Sequence, residues 1–430
     1  MNLFKTTLIA LLTMAGTHCL AQKTIIHCGT LIDGISEKPS KEMSIIIPQG
    51  QDKIESVQKG YAKAGQNDVV IDLKNHTVMP GFIDMHVHLE HETNKNRYLE
   101  KYTLNDADVA FRSAVFAERT LMAGFTTVRD LGGTGVNIAL RNAINQGLVK
   151  GPRIFTSGKS LAVTGGHADP TNGHKKDLMG DPGPKEGVVN GIEDARKAVR
   201  QRYKNGADLI KITATGGVLS QAKNGSGPHF KEDEIQAIVE TARDYDFHVA
   251  AHAHGAEGMK RAVRAGVTTI EHGTYMDEET MALMKERGTY YIPTISAGNF
   301  VGIKAAEKGY YPDMVAKKAA VIGPQIQDTF AKAYKYGVPI GFGTDAGVFP
   351  HGENAKEFEL MVISGMPAME AIKSATSVNA GILKMSGEIG ALRENLQADI
   401  VAAEGDPLKD IKVLQTVSFV MKGGVVYKKP

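Results

Sequence analysis

The stretch GFIDMHVHLE, residues 81–90, sets two imidazoles two positions apart, His86 and His88, among apolar neighbours. In an extended strand, residues i and i+2 share a face. Phe82, Asp84, His86 and His88 therefore point one way, and Ile83, Met85, Val87 and Leu89 the other. Two imidazoles on one face, about 7 Å apart at Cα from the strand rise, can converge on one metal ion. The competing reading is a pair of hydrogen-bonded core histidines, and the rest of the chain must decide.

Other metal-type residues close other apolar runs. Lys211 sits in ADLIKITATGG, His252 in HVAAHAHG, His272 in VTTIEHG and Asp345 in PIGFGTDAG. Each has a structural alternative. Lys211 can snorkel to the surface, stay neutral by burial, or react with CO₂ to give an anion able to bridge two cations. His252 and His272 can be core histidines, and Asp345 can cap the next helix. The joint pattern weighs against these alternatives, because such residues close five of eight strand-like runs.

Those runs are residues 82–89, 125–132, 152–158, 207–217, 248–255, 267–273, 290–296 and 339–347. Helix-like runs lie between them at 108–124, 191–206, 231–246, 256–266, 277–288 and 323–337. Strict alternation argues for parallel strands. Eight units predict an α/β fold, a (β/α)₈ TIM barrel over 79–387, with its active site at the C-terminal strand ends. A doubly wound open sheet is the alternative, but no dinucleotide-binding glycine fingerprint follows the first strand. Short β segments at 22–78 and 388–430 are each too small for a core and are expected to join as one small β-sandwich.

Lys5, the apolar run LIALLTMAG and the exit THCLAQ read as an export signal over 1–21. Cys19 and Ala21 would occupy the −3 and −1 positions of a cut before Gln22. Lipoprotein anchoring at Cys19 is the weaker alternative, since Thr17 and His18 fit that signal poorly. The run is too short to span a membrane, so a periplasmic or secreted protein is expected. Cleavage would leave Cys28 as the only cysteine and exclude an intramolecular disulfide. A net charge of +2 gives no electrostatic case for nucleic acid. The absence of tryptophan, with few aromatics, removes the stacking platforms as well.

Together PGFIDMHVHL, IKI, HAHG, EHG and GTDAG resemble the amidohydrolase superfamily. More narrowly they are similar to the imidazolonepropionase-like branch, with its exported Xaa-Pro dipeptidases, carboxydipeptidases and N-acyl-amino-acid hydrolases. The resemblance implies two divalent ions. His86, His88 and Asp345 would hold the more buried one, His252 and His272 the other, and an N6-carboxylated Lys211 would bridge them. Zn²⁺ suits such ligands, and manganese or cobalt could replace it. A shared hydroxide would attack the amide carbonyl of a dipeptide (Xaa-Pro or Xaa-basic) or an N-acyl amino acid. Asp345 would accept its proton and return it to the leaving amine. His167, in TGGH, would contact the scissile carbonyl or the substrate carboxylate, with Tyr275 and His229 as further substrate contacts. The polar, Gly/Pro-rich loop 171–187 reads as a lid, with His174 solvated in it. Arg129 is read as pairing with Asp130, with a substrate carboxylate as the alternative partner, and His91 and His254 as lying behind the ligands. Relatives form homo-oligomers, so one is expected here. The alternatives are a mononuclear cyclic-amide hydrolase or deaminase of the imidazolonepropionase type, a lactonase, and a metal-free binding protein. A one-metal site has no use for a bridging lysine.

Overall fold

A computed structural model describes residues 22–430; the expected signal segment 1–21, with Cys19, lies outside them. The chain begins with β1 (Lys23–Leu31), β2 (Ser40–Pro48), β3 (Ser56–Lys59) and β4 (Val69–Pro80). The middle carries β5 (Phe82–Val87), β6 (Phe125–Asp130), β7 (Arg153–Thr156), β8 (Ile210–Thr213), β9 (Val249–Gly255), β10 (Thr269–Tyr275) and β11 (Tyr290–Ile292). It ends with β12 (Ile400–Glu404), β13 (Phe419–Lys422) and β14 (Val425–Lys428).

The two chain ends do join. They form one seven-stranded sheet in the order β14-β13-β12-β4-β1-β2-β3, rather than two stacked sheets. The sheet curls over its own core. Lys53 bridges Gln397, and Ile54 N–H donates to Leu396 O at 2.8 Å. Ile26, Ile45, Leu73, Ile400 and Phe419 are fully buried in that core. Cys28 lies among them, its thiol pushed up to about 12 by burial, which makes it an unreactive packing residue.

The middle strands form two parallel arcs, β5-β6-β7 and β8-β9-β10-β11. A bridge between Leu161 and Ile212 joins them on one side. On the other side the segment 340–346 supplies the eighth stave. Ile340 bridges Tyr291, and Ala346 bridges Val87. Met85 N–H donates to Phe342 O (3.0 Å), Asp345 N–H to His86 O (2.7 Å) and His88 N–H to Ala346 O (2.8 Å). The barrel is therefore closed, and the open-sheet alternative is excluded. The eighth stave forms no regular ladder, because Asp345 adopts a positive φ of 61° that interrupts the extended backbone.

Helices cover the staves with apolar faces. Helix Glu232–Arg243 buries Ile235, Ile238, Val239 and Ala242, and helix Ala256–Ala265 buries Met259, Ala262 and Val263. Three elements are among the departures from the sequence reading. Helix Val136–Asn145 was not expected: its three asparagines lower helix propensity, yet Leu140 and Ile144 bury an i, i+4 stripe. Helix Asp313–Tyr336 runs across the Gly323–Pro324 pair that reads as a helix start. The expected strand 290–296 stops at Ile292, because Thr294 turns to a φ of 55° and helix Ile295–Ala305 begins. Among the described residues, no helix is long and apolar enough to cross a membrane.

Sheet and barrel share a continuous backbone. Only Gly81 separates β4 from β5, and its N–H donates to Asp399 O at 2.8 Å. Arg153 of β7 adds an ion pair to Asp399 at 2.7 Å. A Cβ on Gly81 would fall 2.1 Å from Thr126 Oγ1. Gly81→Ala is therefore expected to cost about 1–3 kcal/mol through overpacking. It should lower the midpoint of a thermal scan, and an unchanged midpoint would show that this junction yields easily.

Candidate functional site

The expected ligands meet at the C-terminal mouth of the barrel. His86 Nδ1 lies 2.9 Å from Glu271 Oε2, and His88 Nδ1 lies 2.8 Å from Gly132 O. A carboxylate or carbonyl can only accept, so both imidazoles carry their proton on Nδ1 and turn an Nε2 lone pair inward. Both Nε2 atoms face Asp345 Oδ1, at 3.5 and 3.3 Å. That oxygen is buried and has no hydrogen-bond partner among the described residues. Neither imidazole carries a second proton to share with that oxygen. Burial, then the charge of Lys211, drives His86 well below its usual pKa, and the same causes bring His88 to about 3. Lone pairs this close repel unless a cation lies between them. Donor atoms of His86, His272 and Asp345 all lie within 4.8 Å of one another. The arrangement fits a divalent ion with nitrogen and oxygen ligands. Asp345 caps no helix.

The ligand rings form a chain. His88 to His86, His86 to His272 and His272 to His252 have centroid separations of 5.3, 5.0 and 4.7 Å. His252 Nε2 lies 3.0 Å from Gly216 O, which commits its proton there and leaves the Nδ1 lone pair free. His272 Nδ1 lies 2.8 Å from Thr294 Oγ1. Lys211 Nζ sits 3.5 Å from His86 Nε2. Burial lowers its ammonium pKa against the opposing pull of Glu271 and Asp345. A neutral amine is the form that can combine with CO₂.

Beneath the ligands lies an ion pair with no solvent exposure. Arg129 Nη2 is 2.8 Å from Glu271 Oε1, and Arg129 Nε donates to Met85 O at 2.7 Å. This corrects the expected Arg129–Asp130 pair. Arg129 points into the barrel toward β10, while Asp130 accepts from Leu89 N–H and Asn137 Nδ2, both at 2.9 Å. Alternation would send Glu271 and His272 to opposite faces. A positive φ of 70° at His272 and a register shift between His272 and Tyr275 break it, so both serve the site. Asp345 and the β-branched Thr294 share this rare backbone region, which concentrates strain at the site. Asp84, on the same strand as His86, accepts from Thr344 N–H (3.1 Å) and Asn354 Nδ2 (2.8 Å), fixing the segment that carries Asp345.

A cavity of about 230 Å³ opens above the ligands. His91, Arg97, Tyr98 and Lys101 line one side. His167, Asp169 and His174 line another, and Leu219, Ser220 and Gln221 a third. His167 stacks on His252 with centroids 4.3 Å apart, and its buried Nδ1 has no partner among the described residues. This approach requires Gly217, where a Cβ would lie 2.1 Å from that nitrogen. Lys318 Nζ donates to Gly217 O, Ser220 O and Ala222 O, each at 2.8 Å, and so fixes this wall. His174 is half-buried and contacts the Tyr102 hydroxyl, rather than standing solvated in its loop. His91 and His254 line the cavity themselves. His229 and Tyr275 do not, and Tyr275 is 39% exposed. Sequence reasoning missed Glu271, Thr294, Arg97 and Lys318. Only Glu271 had a signal, as the neighbour of His272 in IEHG.

Two outcomes are expected. Glu271→Gln leaves Arg129 buried without a counter-charge, at a cost of about 3–5 kcal/mol. It also releases the His86 ring, and loss of such a partner typically weakens metal retention about 10–100-fold. Thermal scans and metal content after dialysis against a weak chelator would read both; full retention of metal would contradict the role given to Glu271. Acid should also destabilise the metal-free protein. His88 and His254 are held to about 3 by burial, well under the unfolded value of about 6.5. Between those limits the unfolded chain binds protons that the folded chain refuses. Stability is thus full above about pH 6.5 and falls as pH drops toward 3, by up to about 1.4 kcal/mol per unit for each such histidine. A flat thermal midpoint between pH 7 and 5 would contradict this.

Comparison with known proteins agrees with the geometry. Residues 77–427 match the amidohydrolase family. Ochratoxinase from Aspergillus niger is 34% identical over 435 residues, which cover 95% of this chain and 88% of that protein. The crystal structure of a Xaa-Pro dipeptidase with methionine bound in its active site is 51% identical, with a TM-score of 0.92. That match covers 95% of this chain and all of the other. A prolidase complexed with N-methylphosphonate-L-proline is 33% identical with a TM-score of 0.86, again over 95% of this chain and all of the other. On sequence, fold and site residues, the chain belongs to the amidohydrolase family.

Proposed function

We propose that this hydrolase is a binuclear metal enzyme that cleaves the amide bond of dipeptides, foremost of Xaa-Pro type, or of N-acyl amino acids. The observation that carries the reading is the convergence of the unprotonated Nε2 atoms of His86 and His88 on Asp345, beside a buried Lys211. In this reading His86, His88 and Asp345 would hold one ion and His252 and His272 the second, with a carboxylated Lys211 as a ligand to both and zinc as the ion. When bound, such ions supply Lewis acidity toward the amide carbonyl and make water nucleophilic near neutral pH.

The remaining work falls to side chains. Burial raises the Asp345 carboxyl above the usual carboxylate range, against the pull of Lys211. A carboxylate so placed takes the proton of attacking water and returns it to the nitrogen as the C–N bond breaks. His167 lines the cavity and stacks on His252, where its ring can donate to the carbonyl oxygen of a bound substrate. The loop 171–187 acts as a lid, and residues 1–21 direct export to the periplasm or the medium. The assembly is a homo-oligomer. His229 and Tyr275 carry no role here, since neither lines the cavity. Similarity to a Xaa-Pro dipeptidase and a prolidase supports the peptide class, and similarity to ochratoxinase supports a wider range of amides. Lys211 argues against the mononuclear cyclic-amide alternative.

Zinc-loaded protein should release amino acids from a panel of Xaa-Pro, Xaa-Lys, Xaa-Leu and N-acetyl-amino-acid substrates. Chelation should abolish release. Asp345→Asn should lower kcat by about 10²–10⁴-fold, the range for losing a positioned acid–base group. If protein holding two metals releases nothing from any member, the peptide reading falls and lactones and cyclic amides become the next substrates to test.

A further inference from the structure

The cavity carries a cation that the mechanism above leaves unused. Arg97 opens the helix Arg97–Thr103 and lines the cavity with the ligand residues. Its Nη1 is buried without a hydrogen-bond partner among the described residues. Its Nη2 lies 3.3 Å from His91 Nε2. A guanidinium can only donate, so the ring nitrogen accepts from Arg97 and orients it. His91 is held in turn by its stack on His88, with centroids 5.3 Å apart.

No described carboxylate comes within ion-pair reach of Arg97, and the acids around it are committed elsewhere. Glu92 pairs with Arg119 and accepts from His351 N–H. Glu100 pairs with Arg112 at 2.8 Å. Asp169 accepts from Gly165 N–H, Thr171 N–H and the Thr171 hydroxyl. Lys101, one helical turn on, also lines the cavity and also lacks an ion pair. Two cations at i, i+4 repel each other. That repulsion, with desolvation, is relieved only when an anion arrives. A guanidinium presents paired N–H groups that match a carboxylate better than any other side chain does.

We infer that Arg97, oriented by His91 and backed by Lys101, is the residue that recognises a carboxylate of the substrate. The sequence reading offered Arg129 for this role, but Arg129 is spent on Glu271 at the barrel floor. The inference rests on the proposed reading of the site as one for dipeptides or N-acyl amino acids. Two carboxylates share this chemistry: the α-carboxylate at the product end, and an acidic side chain.

The test measures binding rather than turnover. It uses zinc-loaded wild type, Arg97→Met and Arg97→Lys, each checked for folding by thermal scan and for metal content. L-Methionine, L-methioninamide, L-glutamate and L-glutamine are titrated by calorimetry. Arg97→Met is expected to weaken L-methionine at least tenfold and leave L-methioninamide unchanged, with Arg97→Lys between the two, if the α-carboxylate is the partner. Loss confined to L-glutamate relative to L-glutamine would assign the acidic side chain instead. If wild type binds acid and amide equally or binds neither, or if Arg97→Met binds all four as wild type does, the inference is overturned. Because no hydrolysis is read, failure of the peptide panel would not be mistaken for failure of Arg97.

Discussion

The structure depends on one buried carboxylate. Glu271 has no solvent exposure, yet it meets Arg129 from β6, His86 from β5 and the Thr269 hydroxyl of its own strand. Desolvating such an ion pair is unfavourable unless nearly every lone pair finds a partner, and here both oxygens do. The result links three staves across the barrel interior. It also decides which nitrogen of His86 carries the proton, so the tautomer at the centre is set by a residue that lies below it. The tautomer presented to the candidate site and the stability of the fold are therefore coupled through the same oxygens.

The rest of the site is assembled by departures from regular structure. Regular staves deliver His86 and His252 by alternation alone. His272, Thr294 and Asp345 instead sit in the left-handed backbone region, and each touches the centre or a ligand. Such conformations persist only where surroundings over-determine them. Asp84 with Thr344 and Asn354 does this for Asp345. The Lys318 ammonium, held by three carbonyls, does the equivalent for the wall against His167.

These distinctions explain what could be read from the sequence. Strand-closing His86, His88, Lys211, His252, His272 and Asp345 were legible because a period-two pattern and a strand end are local signals. The eight staves and the joined flanks were legible from alternation and from the smallness of each flank. The Arg129–Glu271 pair was not, because it spans the barrel and depends on a bulge that breaks alternation. Arg97 and Lys318 were illegible for a different reason: each is an ordinary surface-type cation whose meaning lies in what surrounds it. Helix Val136–Asn145 was missed because burial of Leu140 and Ile144 outweighed poor local propensity.

The sheet divided between the two chain ends has a consequence for biosynthesis. Strand β4 pairs with β1 on one side and with β12 on the other, so its second edge finds its partner only when residues 400–404 leave the ribosome. Until then an extended twelve-residue strand carries an open edge, the kind of surface on which chains aggregate. The same strand runs without a linker into β5 and its two histidines. Strand β12 thus acts as a late clasp on the segment that feeds the candidate metal site, and a chain truncated before β12 would leave the ribosome with that clasp missing.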